Sequence, residues 1–211
     1  MKPKIVGNLK KGLIFIISAP AGTGKTTLVN LLKNEFSNVV RSISFTTRKP
    51  RPNERDGQDY FFISEDEFKN KIKQKDFLEW AEVFGEYYGT SRSHVEKLQM
   101  EGKHVALVID TQGAEKLRKM IDACSIFLFP PNMHELQYRL HSRKSESEEM
   151  IQKRLSWAKK EMEKAKGYDY YIFNDDLDVA YQVLKSILIS EEHKVRGKTI
   201  PFLEKITNGQ T

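Results

Sequence analysis

Residues Ala19-Pro20-Ala21-Gly22-Thr23-Gly24-Lys25-Thr26 directly follow the apolar run Leu13 to Ile17, and this combination is the strongest indication of the fold. A buried strand, a glycine-containing loop and a helix in this order form a phosphate-binding loop, in which backbone N–H groups and the helix dipole face phosphate oxygens. Gly22 and Gly24 let the backbone approach the phosphates closely. Lys25 reaches the β- and γ-phosphates, and the Thr26 hydroxyl is a ligand for Mg²⁺. The sequence therefore predicts a bound nucleotide.

Two other interpretations explain this stretch less completely. Lys10 and Lys11, an apolar segment and Ala19-Pro20-Ala21 match the plan of a secretory signal, but a signal leaves the residues Gly-Thr-Gly-Lys-Thr unexplained. An ordinary strand-to-helix turn requires neither a lysine nor a hydroxyl at fixed positions. A helix with one apolar face follows the loop, as a phosphate-binding loop requires. The apolar face consists of Leu28, Leu31, Leu32 and Phe36.

The composition is that of one globular domain. The chain has 211 residues, of which 39% are hydrophobic and 30% charged. No apolar stretch approaches the roughly 18 residues that span a bilayer, so no membrane partner is predicted. The net charge of +6 suits an anionic ligand and also nucleic acid, and does not decide between them. The single cysteine, Cys124, excludes an internal disulfide and favours a reducing, cytoplasmic location.

Strand-like and helix-like segments alternate along much of the chain, which predicts an α/β fold with a largely parallel sheet. The candidate buried strands are 13–18, 105–109, 125–129 and 170–173. Within 41–95 the pattern changes to short strands with turns, which predicts a small mixed-sheet insertion. Ser64 and Glu67 would cap one helix in this insertion, and Asn132 and Glu135 would cap another helix further along the chain.

A compact cationic cluster lies in the proline-rich segment after residue 41. Arg48 and Arg51 stand on a stiff backbone, and guanidinium groups bind phosphate oxygens in pairs. Tyr60 and Tyr88 supply hydroxyl donors that would complete a second phosphate site. The alternative is a solvated basic turn, as most exposed arginine pairs are.

A second arginine cluster lies in the C-terminal half. Arg139 and Arg143 are four residues apart on a predicted helix and share one face, and Arg154 follows on the next helix. Phosphoryl transfer requires positive charge around the moving group, which these arginines would supply. The alternative is a helix surface whose arginines pair with nearby acids. Those acids are Glu146, Glu148 and Glu149.

Two carboxylates stand where apolar strands predict burial. Glu79 interrupts the run Phe77 to Trp80, where a carboxylate is costly unless it is paired. It would accept two hydrogens from the N1–H and N2–H₂ edge of guanine, a pattern that adenine does not present. Asp110 ends a candidate core strand, where open α/β sheets place ligand groups, and would contact a base or position Mg²⁺ through water. The alternative for each carboxylate is a structural cap on a turn.

With these motifs in order, the chain resembles the guanylate kinase family over roughly residues 10 to 190. The segments that carry the resemblance are Ser42 to Pro52, Asp56-Gly57, Asp59-Tyr60, Glu79-Trp80-Ala81, Tyr87 to Thr90, Asp110 to Gly113, Arg139 to Arg154 and Asn174 to Leu177. So many ordered motifs make coincidence a poor explanation.

The resemblance implies an α/β fold with a P-loop nucleoside monophosphate kinase-like parallel sheet core, an inserted small mixed α/β GMP-binding lobe and a helical lid. The core would comprise about 10–40, 96–138 and 168–190, the lobe about 41–95 and the lid about 139–167, with the tail 196–211 unassigned. The implied reaction transfers the γ-phosphoryl of ATP to GMP, and to dGMP, with Mg²⁺ as cofactor. The implied enzyme is a cytoplasmic monomer or homodimer of purine nucleotide metabolism, without nucleic-acid or membrane partners.

The resemblance also implies roles for single residues. ATP would be held by Ala19, Pro20, Ala21, Gly22, Thr23, Gly24, Lys25, Thr26, Thr27 and Asn174, with Thr26 also the metal ligand. The guanine would be held by Ser44, Glu79, Thr90 and Asp110, and the GMP phosphate by Arg48, Arg51, Tyr60 and Tyr88. The transferring phosphoryl would be neutralised by the catalytic residues Lys25, Arg48, Arg139, Arg143 and Arg154.

Three positions depart from the family pattern. Ala19 replaces the first glycine of the loop, which ordinary backbone angles tolerate. Val108 stands where many members have an aspartate, which removes one carboxylate near the metal and base. Lys144-Ser145 replaces the usual Gly-Thr of the lid.

Three other functions fit part of the sequence. A GTP-hydrolysing switch would use Asp110 to Gly113 as its D-x-x-G motif, but the nearest candidate for its guanine-reading motif, Asn70-Lys71-Ile72-Lys73, lacks the aspartate. An inactive interaction module typically loses the loop or the lid arginines, which this chain keeps. A kinase for adenylate or pyrimidine nucleotides is the third alternative.

Overall fold

The protein is described by a computed structural model that covers residues 4–142 and 147–195. Within these residues the chain forms nine strands and seven α-helices. In chain order they are β1 Ile14–Ser18, α1 Lys25–Glu35, β2 Val39–Arg41, β3 Phe45–Thr46, β4 Phe61–Phe62, α2 Glu65–Lys73, β5 Phe77–Val83, β6 Glu86–Ser91, α3 Arg92–Met100, β7 His104–Val108, α4 Thr111–Arg118, β8 Cys124–Phe129, α5 Met133–Ser142, α6 Glu148–Glu163, β9 Tyr170–Phe173 and α7 Leu177–His193. The predictions for Arg143, Lys144, Ser145, Glu146 and the tail 196–211 lie outside the described residues.

The central sheet has five strands in the order β2-β7-β1-β8-β9, and every neighbouring pair in it is parallel. Strand β1 is apolar throughout except for Ser18, and all five of its residues are buried. Such continuous burial is expected of a parallel strand that is covered on both faces. The predicted α/β fold with a parallel core sheet is confirmed.

Helices cover both faces of this sheet, because alternate residues of β1 point to opposite sides. Phe15 and Ile17 belong to a core that includes residues of α1 and α7, whereas Ile14 and Ile16 belong to a core that includes residues of α3 and α4. The loops that follow β1, β7, β8 and β9 therefore meet at one edge of the sheet. Ligand groups are expected at this edge.

A second, smaller sheet is formed by the chain between β2 and α3. Its order is β4-β3-β6-β5, with β3 and β4 parallel and the other two pairs antiparallel. Helix α2 covers it through Phe68, which is fully buried and lies 4.5 Å from Phe77 between ring centroids. Ser64 and Glu67 form a complete capping box at the start of α2, as the sequence predicts. The segment Asn70 to Lys73 lies inside this helix and not in a loop.

Helices α5 and α6 pack together above the loop that follows β1. Their shared core contains Leu136 and Leu140 of α5 with Ile151 and Ala158 of α6, and Ala21 of the loop packs against it. The Asn132 side chain accepts a hydrogen bond from the Glu135 N–H at 2.8 Å, which confirms the predicted cap. Among the described helices, none combines the length and the apolar character needed to cross a bilayer.

Candidate active site

The loop between β1 and α1 has a backbone that its two glycines make possible. Gly22 and Gly24 have φ angles of 92° and 96°, in the region that glycine enters without steric cost. Thr23 is buried, and its hydroxyl donates to the Pro20 carbonyl at 2.8 Å. Gly24 is the residue before α1, so the positive end of the helix dipole lies at the loop. This arrangement suits an anion.

The Lys25 ammonium bridges the loop. It donates to the Ala19 carbonyl at 2.5 Å and lies 3.3 Å from the Pro20 carbonyl. Its positive charge also interacts electrostatically with Asp110 and Glu161. Thr26 and Thr27 follow it in the first turn of α1 and are exposed. The loop therefore presents one cation and two hydroxyls next to the helix N-terminus.

Asn174 supports the loop from below. It follows β9 and is buried, and its side-chain amide donates to the Thr23 carbonyl at 2.6 Å. A methyl group added at Gly24 would lie 2.5 Å from the Asn174 amide nitrogen. Gly24 is thus required both for its positive φ and for this close approach.

Glu79 is a buried carboxylate on β5. Only 7% of its surface is exposed, and it accepts a hydrogen bond of 2.6 Å from the hydroxyl of Thr90 on β6. Burial raises the pKa of Glu79 to about 7; the Thr90 hydrogen bond partly opposes this shift, and the nearby charge of Asp110 adds a smaller upward contribution. A methyl group at Gly113 would lie 2.4 Å from Glu79 Oε2, so the carboxylate reaches the start of α4. The second sheet therefore brings Glu79 and Thr90 into direct contact.

Asp110 connects the second sheet with the phosphate-binding loop. It caps α4, where Gly113 N–H donates to its carboxylate at 2.8 Å. Burial raises the pKa of Asp110, although the Gly113 bond and the charge of Lys25 oppose the shift. The residue therefore has a structural role as a cap while its carboxylate lies within electrostatic range of Glu79 and Lys25.

The predicted cationic cluster assembles around the end of β3. The guanidinium of Arg48 lies 5.3 Å from the Tyr60 ring centroid, and the Tyr60 and Tyr88 rings are 6.1 Å apart. Burial raises the pKa of Tyr60, which further favours its protonated hydroxyl, a hydrogen-bond donor. Ser44 lies just before β3, half-buried, and its carbonyl accepts the Phe61 N–H.

Glu54 is a member of this cluster that the sequence analysis missed. Its carboxylate accepts a hydrogen bond of 2.9 Å from the Arg48 guanidinium and one of 2.8 Å from the Arg51 N–H. It also lies 3.8 Å from the Arg51 guanidinium. An acidic residue three positions after Arg51 in a cationic turn was the available signal. Glu54 holds both arginines together.

Arg139 and Arg154 lie on the helix pair. Arg139 pairs with Glu135 one turn earlier on α5 at 2.8 Å, and Arg154 lies on α6 with its guanidinium 5.1 Å from the Phe84 ring centroid. Arg143 lies outside the described residues.

Glu161 is a further buried acid that sequence reasoning missed. It lies on α6 seven residues after Arg154, which places both on one face of the helix. Burial raises the pKa of Glu161, and the positive charges of Lys25 and Arg154 partly oppose this shift. The sequence signal for Glu161 was its spacing of seven residues from Arg154, which places an acid on the same helix face as the arginine. Glu161 lies close enough to Lys25 for the charges of the two groups to interact.

Comparison with known proteins gives one consistent result. The guanylate kinase family profile matches residues 11–191. A guanylate kinase of Protochlamydia amoebophila is 57% identical over 192 residues, covering 91% of this chain and 98% of that protein. One of Chlamydia trachomatis serovar D is 48% identical over 183 residues, covering 86% and 89%. The crystal structure of guanylate kinase from Anaplasma phagocytophilum superposes with a TM-score of 0.78 at 32% identity, covering 95% of this chain and 97% of that one.

Proposed function

Because this chain belongs to the guanylate kinase family and is a nucleoside monophosphate kinase, we propose specific residues for each step of its reaction. The enzyme transfers a phosphoryl group from ATP to GMP. We propose that the donor phosphates lie on the loop from Ala19 to Thr27, with Asn174 beneath it and near the ATP base. The core sheet then carries the donor, and the second sheet, as a lobe spanning about 41–95, carries the acceptor.

The observation that carries the acceptor assignment is the buried pair of Glu79 and Thr90. A carboxylate in this pocket accepts hydrogens from both N1–H and N2–H₂ of guanine, and an adenine edge leaves it unsatisfied. Ser44 and Asp110 complete the proposed base site. The proposed phosphate site of GMP consists of Arg48, Arg51, Tyr60 and Tyr88.

Acceleration in this proposal comes from position and charge. Lys25 stands at the donor loop and Arg48 at the acceptor site, so they flank the path of the moving phosphoryl group. Arg139 and Arg154 approach from the helices that cover the loop, and Arg143 belongs to the same proposed set. No general base is required, because electrostatic stabilisation and alignment account for most of the acceleration in phosphoryl transfer.

The residues present fit the Mg²⁺ cofactor that we propose. The exposed Thr26 hydroxyl at the start of α1 and the Asp110 carboxylate near Lys25 are oxygen ligands of the kind that this ion takes. Bound Mg²⁺ supplies charge that neutralises the donor phosphates. Val108 offers no carboxylate here, which leaves Thr26 and Asp110 as the proposed protein groups.

We further propose dGMP as a second acceptor, a place in purine nucleotide metabolism and a cytoplasmic location, which the single cysteine supports. A monomer or a homodimer is equally compatible with the proposed site, because every residue assigned to it comes from one chain.

The test is an assay of ADP formation with Mg²⁺, ATP and each of GMP, dGMP, AMP, UMP and CMP. We expect turnover with GMP and dGMP, and little with the others. Absence of GMP-dependent turnover, or equal use of AMP, would overturn the proposal.

The same assay tests the donor loop through Lys25→Met. Removal of the ammonium is expected to lower kcat by about 10²-fold or more while the protein stays folded. The matched control is Lys33→Met, at an exposed lysine in the last turn of α1, which should retain the parent kcat. Near-normal turnover of Lys25→Met would contradict the assignment of the loop.

A further inference from the structure

The turn that joins β5 to β6 carries an unexpected side chain. Phe84 and Gly85 form its centre, and both have positive φ angles, 54° and 81°. A two-residue turn of this kind favours asparagine, aspartate or glycine at its first position, and a bulky aromatic residue there is an outlier. A side chain added at Gly85 would meet nothing within 4 Å, so the turn projects from its own sheet. The Phe84 ring is not needed to form this turn.

The Phe84 ring instead contacts helix α6. Its centroid lies 5.8 Å from that of Trp157, with the ring planes at 62°, and 5.1 Å from the guanidinium carbon of Arg154. Arg154 and Trp157 are three residues apart and lie on one face of α6. Phe84 remains 37% exposed, and the ring contacts described here are made with α6 and not with its own sheet. The turn of the second sheet thereby touches the helix that carries one of the proposed phosphoryl-binding arginines.

We propose that Phe84 is a positioning residue that orients Arg154 for phosphoryl transfer. The proposal rests on the role of Arg154 given above. A ring face attracts a guanidinium without forming hydrogen bonds, so this contact orders the group without using its N–H donors. Phosphate oxygens bind the same guanidinium more strongly through charge-assisted pairs. The ring therefore orients the Arg154 guanidinium, whose N–H groups bind the transferring phosphoryl group in the transfer step.

Trp157 gives the contact its second attachment. Edge-to-face aromatic packing fixes the distance between the turn and α6 independently of the arginine. Lys160 is one turn further along α6, and its ammonium lies 5.7 Å from the centroid of the Trp157 ring. Phe84 therefore packs against a face of α6 on which Trp157 is itself in contact with Lys160.

The kinetic test compares Phe84→Asn with Phe84→Tyr. Asparagine suits the positive φ and removes the ring, so the melting temperature is expected to be unchanged or higher. We expect kcat with GMP to fall about threefold to tenfold while the KM for GMP changes less than about twofold, since the lost contact acts on a transfer-step residue. Phe84→Tyr keeps the ring and should keep the parent kcat. Tyr171→Asn, at an exposed aromatic residue on β9, is the matched control.

The second test reads the contact without using activity. The chain has two tryptophans, so Trp80→Phe leaves Trp157 as the only one. In this background, adding Phe84→Asn is expected to shift Trp157 emission to longer wavelength, and Phe84→Tyr is expected not to. Phe84→Gly is a second ring-free variant.

The two tests separate the failure of this inference from the failure of the proposed function. If the parent enzyme turns over GMP and Phe84→Asn has the parent kcat, the positioning role is wrong. If Phe84→Asn leaves Trp157 emission unchanged, the contact itself is absent. If the parent enzyme does not use GMP, the proposed function fails, and the emission measurement still decides whether the contact exists.

Discussion

At the scale of single residues, burial of Glu79 affects stability as well as its proposed role in base recognition. Its pKa is about 7 in the folded protein against an ordinary 4.5, so the folded state binds this proton more tightly than the unfolded state. The stabilising contribution is therefore complete below about pH 4.5 and is lost as the pH rises through about 7. We predict that at pH 8 the free energy of unfolding of Glu79→Gln exceeds that of the parent by about 1–3 kcal/mol. Urea denaturation at pH 5 and pH 8 measures this difference.

The same substitution is expected to damage GMP recognition. An amide does not accept both guanine hydrogens, so the KM for GMP should rise about tenfold or more and become independent of pH. In the parent enzyme, protonation of Glu79 should raise the KM for GMP as the pH falls below about 7. The matched control is Glu82→Gln, at an exposed acid on the same strand. A parent KM that is flat between pH 6 and 8, with an unchanged KM in Glu79→Gln, would remove Glu79 from the base site.

Glu54 gives a second prediction at this scale. Its carboxylate orders the Arg48 side chain and the Arg51 backbone before any phosphate arrives. We expect Glu54→Ala to raise the KM for GMP about tenfold, because both groups lose a charge-assisted hydrogen bond. Glu54→Gln keeps the bonding geometry and should change KM by less than about threefold. An unchanged KM in Glu54→Ala would show that the arginines need no such support.

At the scale of elements, helix α2 shows how a local cap supports the acceptor sheet. Acidic residues fill its first turn, the capping box closes its start, and its buried Phe68 packs on β5 and β6. We predict that Ser64→Ala lowers the free energy of unfolding by about 1 kcal/mol. Thermal denaturation measures the change, and kcat at 25 °C should stay at the parent value.

The matched control for the cap is Ser186→Ala, at an exposed serine in the interior of α7. Alanine is the better helix former inside a helix, so this variant should be neutral or slightly stabilising. Equal destabilisation of both variants would mean that the Ser64 hydroxyl contributes nothing specific as a cap.

At the scale of the whole molecule, a buried pair joins the two ends of the described chain. His104 at the start of β7 accepts the Leu13 N–H at its Nδ1 (3.0 Å) and places Nε2 2.5 Å from a Glu192 carboxylate oxygen. The other oxygen of Glu192 accepts the N–H groups of Gly7 and Asn8. Burial lowers the pKa of His104, and the accepting Nδ1 requires the neutral ring. These contacts lie at the opposite ends of the strands from the proposed active site.

The pair predicts a stability change without a change in catalysis. Since the folded-state pKa of His104 is below 6.5, its contribution to stability is present above that pH and is lost as the pH falls below it. The free energy of unfolding of the parent should therefore exceed that of His104→Gln by less at pH 5 than at pH 7.

Glu192→Ala should lower the free energy of unfolding by about 2–4 kcal/mol while kcat at 25 °C is retained, because the remaining buried groups lose their partner. The control is Glu115→Ala, at exposed ion pairs on α4, which should cost less than about 1 kcal/mol. A parallel loss of kcat in Glu192→Ala would contradict this separation.

Features that depend on near neighbours in the chain could be predicted from the amino-acid sequence. The strand, loop and helix from Leu13 onward follow from apolar pattern, glycine positions and a lysine at a fixed place. The caps at Ser64 and Asn132 follow from hydrogen bonds that span three residues. Burial of Glu79 followed from its apolar strand. Backbone period and turn chemistry act locally, so they can be read from short segments.

Contacts between residues that are distant in the chain depend on the packing of the elements. The order of strands in the two sheets brings Glu79 to Gly113, and the packing of α6 brings Arg154 and Trp157 to Phe84. The orientation of α6 places Glu161 near Lys25, and a turn that folds back on itself places Glu54 beside Arg48 and Arg51. Side-chain contacts across elements depend on register, crossing angle and close packing, which residue spacing along the chain does not specify. The phosphate-binding loop is therefore readable in the sequence, whereas the contacts proposed to align its catalytic partners belong to the fold.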